Sequence, residues 1–117
     1  MSTTYNYFEP KEIVAGTTAQ WKKRVPDYLP ADGWALKYSF RNASGTGFDV
    51  TATEDGSDYL ITLALATTSG KTAGVYYWQA WIEEADLDIP ETKIIIDSGE
   101  LKLLKNIGSL NTTTVVD

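Results

Sequence analysis

Gly74-Val75-Tyr76-Tyr77-Trp78-Gln79-Ala80-Trp81-Ile82-Glu83-Glu84 is the stretch whose reading decides the fold of this chain. Side chains on a β-strand alternate with period two, so Tyr76, Trp78, Ala80 and Ile82 share one face. Tyr77, Gln79, Trp81 and Glu83 share the other. Aromatic and β-branched residues suit a pleated, half-buried surface, and the run reads as one long strand. Trp78 is its expected anchor, because a buried indole removes a large apolar area from water while its N–H needs one partner. Tyr77 and Trp81 lie on the face where an isolated domain ordinarily carries small polar groups. That mismatch predicts a second surface to be covered.

Outward from this strand the same period recurs. Trp34, Leu36, Tyr38 and Phe40 alternate with Ala35, Lys37, Ser39 and Arg41, the clearest amphipathic strand in the chain. Phe48, Val50 and Ala52 return from the turn at residues 42–47. Asp55-Gly56 marks a hairpin loop, since glycine supplies the positive φ of a tight turn. Residues 59–66 are apolar on both faces, which predicts a central or covered strand. Upstream, Glu12 to Ala15 forms a short strand ended by Gly16, and Trp21 points inward from a strand within residues 17–25. Lys22, Lys23 and Arg24 read as a solvated, aggregation-resistant edge. Pro26 to Gly33 is a loop whose Tyr28 and Leu29 cap the core, and residues 67–74 form a connection with room for one helical turn. Residues 92–104 make one long last strand, with a bulge expected at Ser98-Gly99.

Short strands at regular spacing, with turn signals between them, predict an all-β, antiparallel two-sheet sandwich of immunoglobulin-like form. A small jelly roll or barrel is the alternative. The expected core includes Trp21, Trp34, Tyr38, Phe40, Trp78 and Ile82. The expected organisation is an N-terminal arm (1–10), a sandwich (11–105) and a C-terminal tail (106–117). Tyr5, Tyr7 and Phe8 make the arm too aromatic for an ordinary disordered leader. It is expected either to lie on its own domain or to dock on a neighbouring chain, and the second is the stronger expectation. The tail, with Val115 and Val116 in a β-type run, suits strand addition to a sheet edge.

The chain has 117 residues, no Cys and no His, and a net charge of −6. It is long enough for one core without staples. It offers no disulfide scaffold and no Cys/His zinc site, and it lacks two of the commonest catalytic side chains. Nucleic acid is not an expected partner of so acidic a surface. Neither a signal peptide nor a membrane span is expected. Glu54, Asp55 and Asp58 lack the ligand spacing of a calcium loop, so no metal and no cofactor is expected. Glu83, Glu84, Asp86 and Asp88 permit carboxylate acid–base chemistry on paper, but hairpin-tip carboxylates are ordinarily just hydrated. No Gly-x-Ser-x-Gly elbow is present. The chain is therefore expected to be non-enzymatic.

One pattern resembles a known group. It comprises Gly16-Thr17, Trp21, the run Pro26 to Trp34 with Leu36 and Tyr38, and Thr51-Ala52-Thr53 with Asp55-Gly56. Residues Ala64 to Thr68 and Ala73 to Trp81 complete it. These residues resemble small proteins encoded in the structural modules of tailed bacteriophages. The resemblance spans roughly residues 13–105 and rests on core and turn positions. It implies a virion component, present in many copies, made in the host bacterial cytoplasm and bound to other virion proteins. Those partners are the major capsid protein, for a decoration or cement role, or neck, tail or baseplate subunits for an adaptor. The contacts expected to reach partners are Tyr5, Tyr7, Phe8, Tyr77, Trp81, Val115 and Val116. A carbohydrate-binding module using Trp81, Tyr77 and Tyr28 as a stacking platform is the alternative class. A small hydrolase using Glu83 or Asp86 ranks last.

Overall fold

The computed structural model describes residues 7–107. Eight strands lie among them: β1 (Glu12–Val14), β2 (Ala19–Lys23), β3 (Trp34–Arg41), β4 (Gly47–Thr51), β5 (Thr53–Asp55), β6 (Asp58–Leu63), β7 (Gly74–Glu84) and β8 (Lys93–Leu104). A 3-10 turn at Pro30–Asp32 precedes β3, and a single helical turn, α1 (Leu65–Thr68), joins β6 to β7. The strands form two sheets, ordered β1-β8-β7-β3-β4 and β2-β6-β5. Every pairing is antiparallel except β1 with β8.

This is an all-β two-sheet sandwich, and its strand order is immunoglobulin-like. Strands β2, β6 and β5 stand where B, E and D do, while β8, β7, β3 and β4 stand as G, F, C and C′. Among the described residues the strands form two separate sheets rather than one closed barrel.

The alternation of β7 is realised as the sequence predicts. Tyr76, Trp78, Ala80 and Ile82 are buried against Leu36, Tyr38 and Phe40 of β3 and Leu101 and Leu103 of β8. From the smaller sheet, Trp21, Tyr59, Ile61 and Leu63 close the core. A run of rings crosses it. Trp21 meets Tyr38 edge-on at 5.6 Å, Tyr38 meets Trp78 at 5.6 Å, and Phe40, Phe48 and Tyr76 continue the contact. Each such pair contributes about 1 kcal/mol beyond its buried area. Trp34, expected in the core, is only half-buried. It packs edge-on with Tyr28 at one end of the sandwich. Tyr59 fixes that end, its hydroxyl hydrogen-bonded to the Tyr28 and Trp34 carbonyls at 2.8 and 3.2 Å.

Tyr76 forms the tyrosine corner known from such sandwiches, where a phenol near the start of strand F bonds back to the preceding loop. Its hydroxyl donates to the Thr72 carbonyl at 2.7 Å.

Two expectations about strands need correction. The apolar stretch 59–66 does not run on as a strand. It stops at Leu63, and Leu65, in α1, is exposed. The bulge of β8 is not at Ser98-Gly99. Ala80 pairs with Asp97 and Trp81 pairs with Ile95, so Ile96 is the extra residue. A bulge puts two successive residues on the same side of the sheet. Here Ile96 packs against the core, and Asp97, opposite the buried Ala80, also faces inward.

Gly99 has a different job. It pairs with Trp78, and a Cβ built there would sit 2.8 Å from the indole. The missing side chain is the space the tryptophan occupies. Gly99→Ala is therefore expected to overpack the core and lower unfolding free energy by about 1–3 kcal/mol in urea melts. An unchanged midpoint would show that the indole moves aside freely.

Candidate functional site

The described residues place three groups of interest on the sandwich: the outer face of the five-stranded sheet, the loop after β7, and the segment preceding β1.

On the outer face, register sets Tyr77 beside Arg41 and Glu100, Gln79 beside Ser39 and Ser98, and Trp81 beside Lys37 and Ile95. Tyr77 is 55% exposed, Val75 and Ile95 are also exposed, and Trp81 is half-buried. Trp81 is held by its own neighbours. Its indole N–H donates to Glu83 at 2.7 Å, and the Lys93 ammonium sits 4.3 Å from the ring centroid, a cation–π contact. Ion pairs Lys37–Glu83 at 2.8 Å and Arg41–Asp49 at 2.9 Å frame the face. A shallow apolar depression runs along Ser39, Arg41, Tyr77 and Gln79.

The loop following β7 is pinched at its base. The Ala85 amide donates to the Gly33 carbonyl at 2.8 Å, and the Thr92 amide donates to the Glu84 carboxylate at 2.8 Å. Leu87 and Ile89 project from it, Ile89 being 84% exposed.

The segment before β1 carries the expected arm residues, of which Tyr5 lies outside the described residues. Tyr7 lies on its own domain. Its hydroxyl donates to Asp58 at 2.9 Å, and the Arg24 guanidinium stands 5.0 Å from its ring centroid. Phe8 is 80% exposed. Glu9 reaches the mouth of the core, where its carboxylate accepts from the Tyr38 hydroxyl at 2.7 Å and from the Lys23 ammonium at 2.8 Å. Lys23 also donates to Asp97 at 2.7 Å, and the Trp21 indole N–H donates to the Tyr38 oxygen at 3.3 Å. The result is one continuous polar chain, Trp21–Tyr38–Glu9–Lys23–Asp97.

Lys23 thus departs from its expected role on a solvated edge. It shares the inward parity of Trp21, and its side chain is only 17% exposed. The tail residues Val115 and Val116, and the strand expected of them, lie outside the described residues.

The electrostatics are those of structure. Burial alone would depress Lys23, but hydrogen bonds to Asp97 and Glu9 outweigh it and leave its pKa raised. Burial likewise pushes Asp97 up, and Lys23 more than reverses it. Arg24 holds Asp58 below the usual carboxylate range, Arg41 does so for Asp49, and Lys37 for Glu83. A lowered Glu83 is poorly matched to general-acid work, which needs a raised carboxyl. Burial raises the Tyr38 phenol, and burial aided by the Glu54 charge pushes Tyr59 up to about 12. Among the described residues no cluster of three or more acidic side chains is arranged to hold a metal ion. Asp55 and Asp58 are instead paired with Lys22 and Arg24.

Compared with known proteins, the chain matches no family model and no curated relative. Its fold is similar to part of a solved structure of a proposed glycoside hydrolase from Bacteroides vulgatus, with a TM-score of 0.56 and 15% identity. The match covers 92% of this chain but 19% of that one, so this chain spans about a fifth of that protein's length. At this identity the likeness is one of fold alone.

Two measurements test the polar chain. Lys23→Met leaves Glu9 and Asp97 facing each other without a cation and is expected to cost about 3 kcal/mol. The pH dependence follows from the lowered carboxylates. Each contributes stability that is complete above its unfolded pKa, 3.8 for Asp and 4.5 for Glu, and is lost as pH falls through the lower folded value. Unfolding free energy should therefore hold level above about pH 5 and fall below it. Lys23→Met should flatten that fall.

Proposed function

We propose that this chain is a non-enzymatic structural protein of a tailed-phage particle, a rigid sandwich that binds other virion proteins. Within that role, a capsid decoration or cement protein on the major capsid protein is the favoured place, and a neck, tail or baseplate adaptor is the close alternative. The observation that carries the reading is the outer face of the five-stranded sheet. Its centre presents Tyr77 with Val75 and Ile95, framed by ion pairs that keep the rim polar, which is the anatomy of a protein-binding patch.

Two further features support it. The carboxylates nearest the end of β7 are engaged in holding the fold, Glu83 by Lys37 and Trp81 and Glu84 by the Thr92 amide. The core and turn residues resemble those of phage structural-module proteins.

A carbohydrate-binding module remains the second reading, favoured by the fold's likeness to part of a proposed glycoside hydrolase. The three rings it would use are not gathered into a platform. Trp81 carries Lys93 against its ring, and Tyr28 stands edge-on to Trp34 at the end of the sandwich.

Co-sedimentation of the purified chain with assembled capsids, and separately with tails, tests the proposal. Binding to one of them is expected, and Tyr77→Ala should weaken it by about 2 kcal/mol, or about 30-fold. Failure to bind either particle overturns the virion reading. A glycan titration that shifts tryptophan emission would favour the sugar-binding reading instead.

A further inference from the structure

The segment Tyr7–Lys11 runs along the open side of the sandwich, and it is attached as no strand is. Among the described residues, 7–10 make no backbone–backbone hydrogen bond. The first such bond comes from the Lys102 amide to the Lys11 carbonyl at 2.8 Å. Two side chains hold the rest. Tyr7 donates to Asp58 beside a largely exposed Arg24, an anchor at the surface. Glu9 is the deeper pin, accepting from Lys23 and Tyr38 at the mouth of the core. Exposed charged contacts add little to stability, so the attachment rests mainly on Glu9.

What Glu9 would leave behind is already complete. Lys23 keeps Asp97 at 2.7 Å, so its ammonium stays paired. Tyr38 keeps the bond from the Trp21 indole at 3.3 Å, and its own proton turns to water admitted at the mouth. Little apolar surface is at stake on the segment itself, since Phe8 is already exposed. No backbone pair has to break. Detachment therefore costs far less than unfolding a sheet, which is the condition for a local opening below the global one.

Register shows what detachment uncovers. The Lys102 amide points to the β1 side, and backbone direction alternates along a strand, so the Glu100 amide and carbonyl point the same way. β1 pairs only with Lys102–Leu104, and neither Glu100 group has a partner among the described residues. An open cleft of about 290 Å³ lies between that edge and the segment, lined by Phe8, Pro10, Trp78, Gly99 and Glu100. We propose that residues 7–10 are a detachable strap pinned by Glu9, which leaves the sandwich as one piece while both sheets stay folded and bares the β8 edge at Glu100. Closed, the strap shields a stretch of edge that is otherwise a template for pairing. The inference stands whatever the outer sheet face binds.

Native-state hydrogen exchange of the whole chain tests it. The Trp21 indole N–H is buried behind Tyr38 and Glu9, so it exchanges when the strap leaves. Its protection factor should lie at least about tenfold below those of the paired amides of β3 and β7. It should also be nearly independent of urea below the unfolding transition, because a local opening exposes little surface. Glu9→Gln, which weakens a charged hydrogen bond, should lower the indole's protection by about a further tenfold. Phe48→Leu, a core change in β4, should lower the protection of the β3 and β7 amides and leave the indole unchanged. An indole that shares the protection and urea slope of the core amides overturns the proposal. So does one that follows Phe48→Leu or ignores Glu9→Gln. Should either variant fail to fold, the wild-type urea series decides alone.

Discussion

A phenol hydroxyl at the centre of an apolar core has to be satisfied, and much of this structure follows from how Tyr38 meets that requirement. A buried hydroxyl without a partner costs on the order of 1–3 kcal/mol. Tyr38 accepts from Trp21 across the sandwich and donates to Glu9 at its open side. A carboxylate at that depth then needs a cation, which Lys23 supplies. Lys23 in turn is balanced by Asp97, which shares the inward parity of Gly99, Leu101 and Leu103. One ring in the middle thereby ties together β3, β2, β8 and the segment before β1. In immunoglobulin domains a disulfide and a tryptophan hold the two sheets at this level. Here aromatic contacts and a polar chain occupy it, in a sequence without cysteine.

How far this could be read from the sequence depends on what each feature leaves behind in one dimension. The alternation of Tyr76, Trp78, Ala80 and Ile82 and that of Leu36, Tyr38 and Phe40 record burial directly. The sandwich and most of its core follow from them. Tyr77 stands out on the outer face for the same reason, since parity alone puts it there. Parity fails where the pleat is broken. Nothing in Ile94-Ile95-Ile96 says which of three identical side chains is the extra one, and the glycine at position 99 draws attention to the wrong place. Its purpose is to make room for an indole on the neighbouring strand, a fact that lies in the pairing and not in the string. Lys23 misleads in the same way. Two charged neighbours disguise a residue on the inward parity of Trp21. Glu9 gave no local signal, because its partners lie 14 and 29 positions away.

The outer sheet face and the segment before β1 are of different kinds. The sheet face is built on paired strands and framed by ion pairs. The segment before β1 is held by a few side chains instead.

The bulge at Ile96 has a consequence for how β8 tolerates change. Lys93–Ile95 and Asp97–Leu104 follow opposite odd–even rules, because the count slips by one between them. In Lys93–Ile95 the odd positions look out; in Asp97–Leu104 the even ones do. Losing Ile96 itself would remove the bulge and leave Ile95 outward and Asp97 inward, whereas losing a residue elsewhere in the strand would shift its register and turn part of it over. The strand therefore has one position, 96, at which a change of length leaves both halves facing as they do.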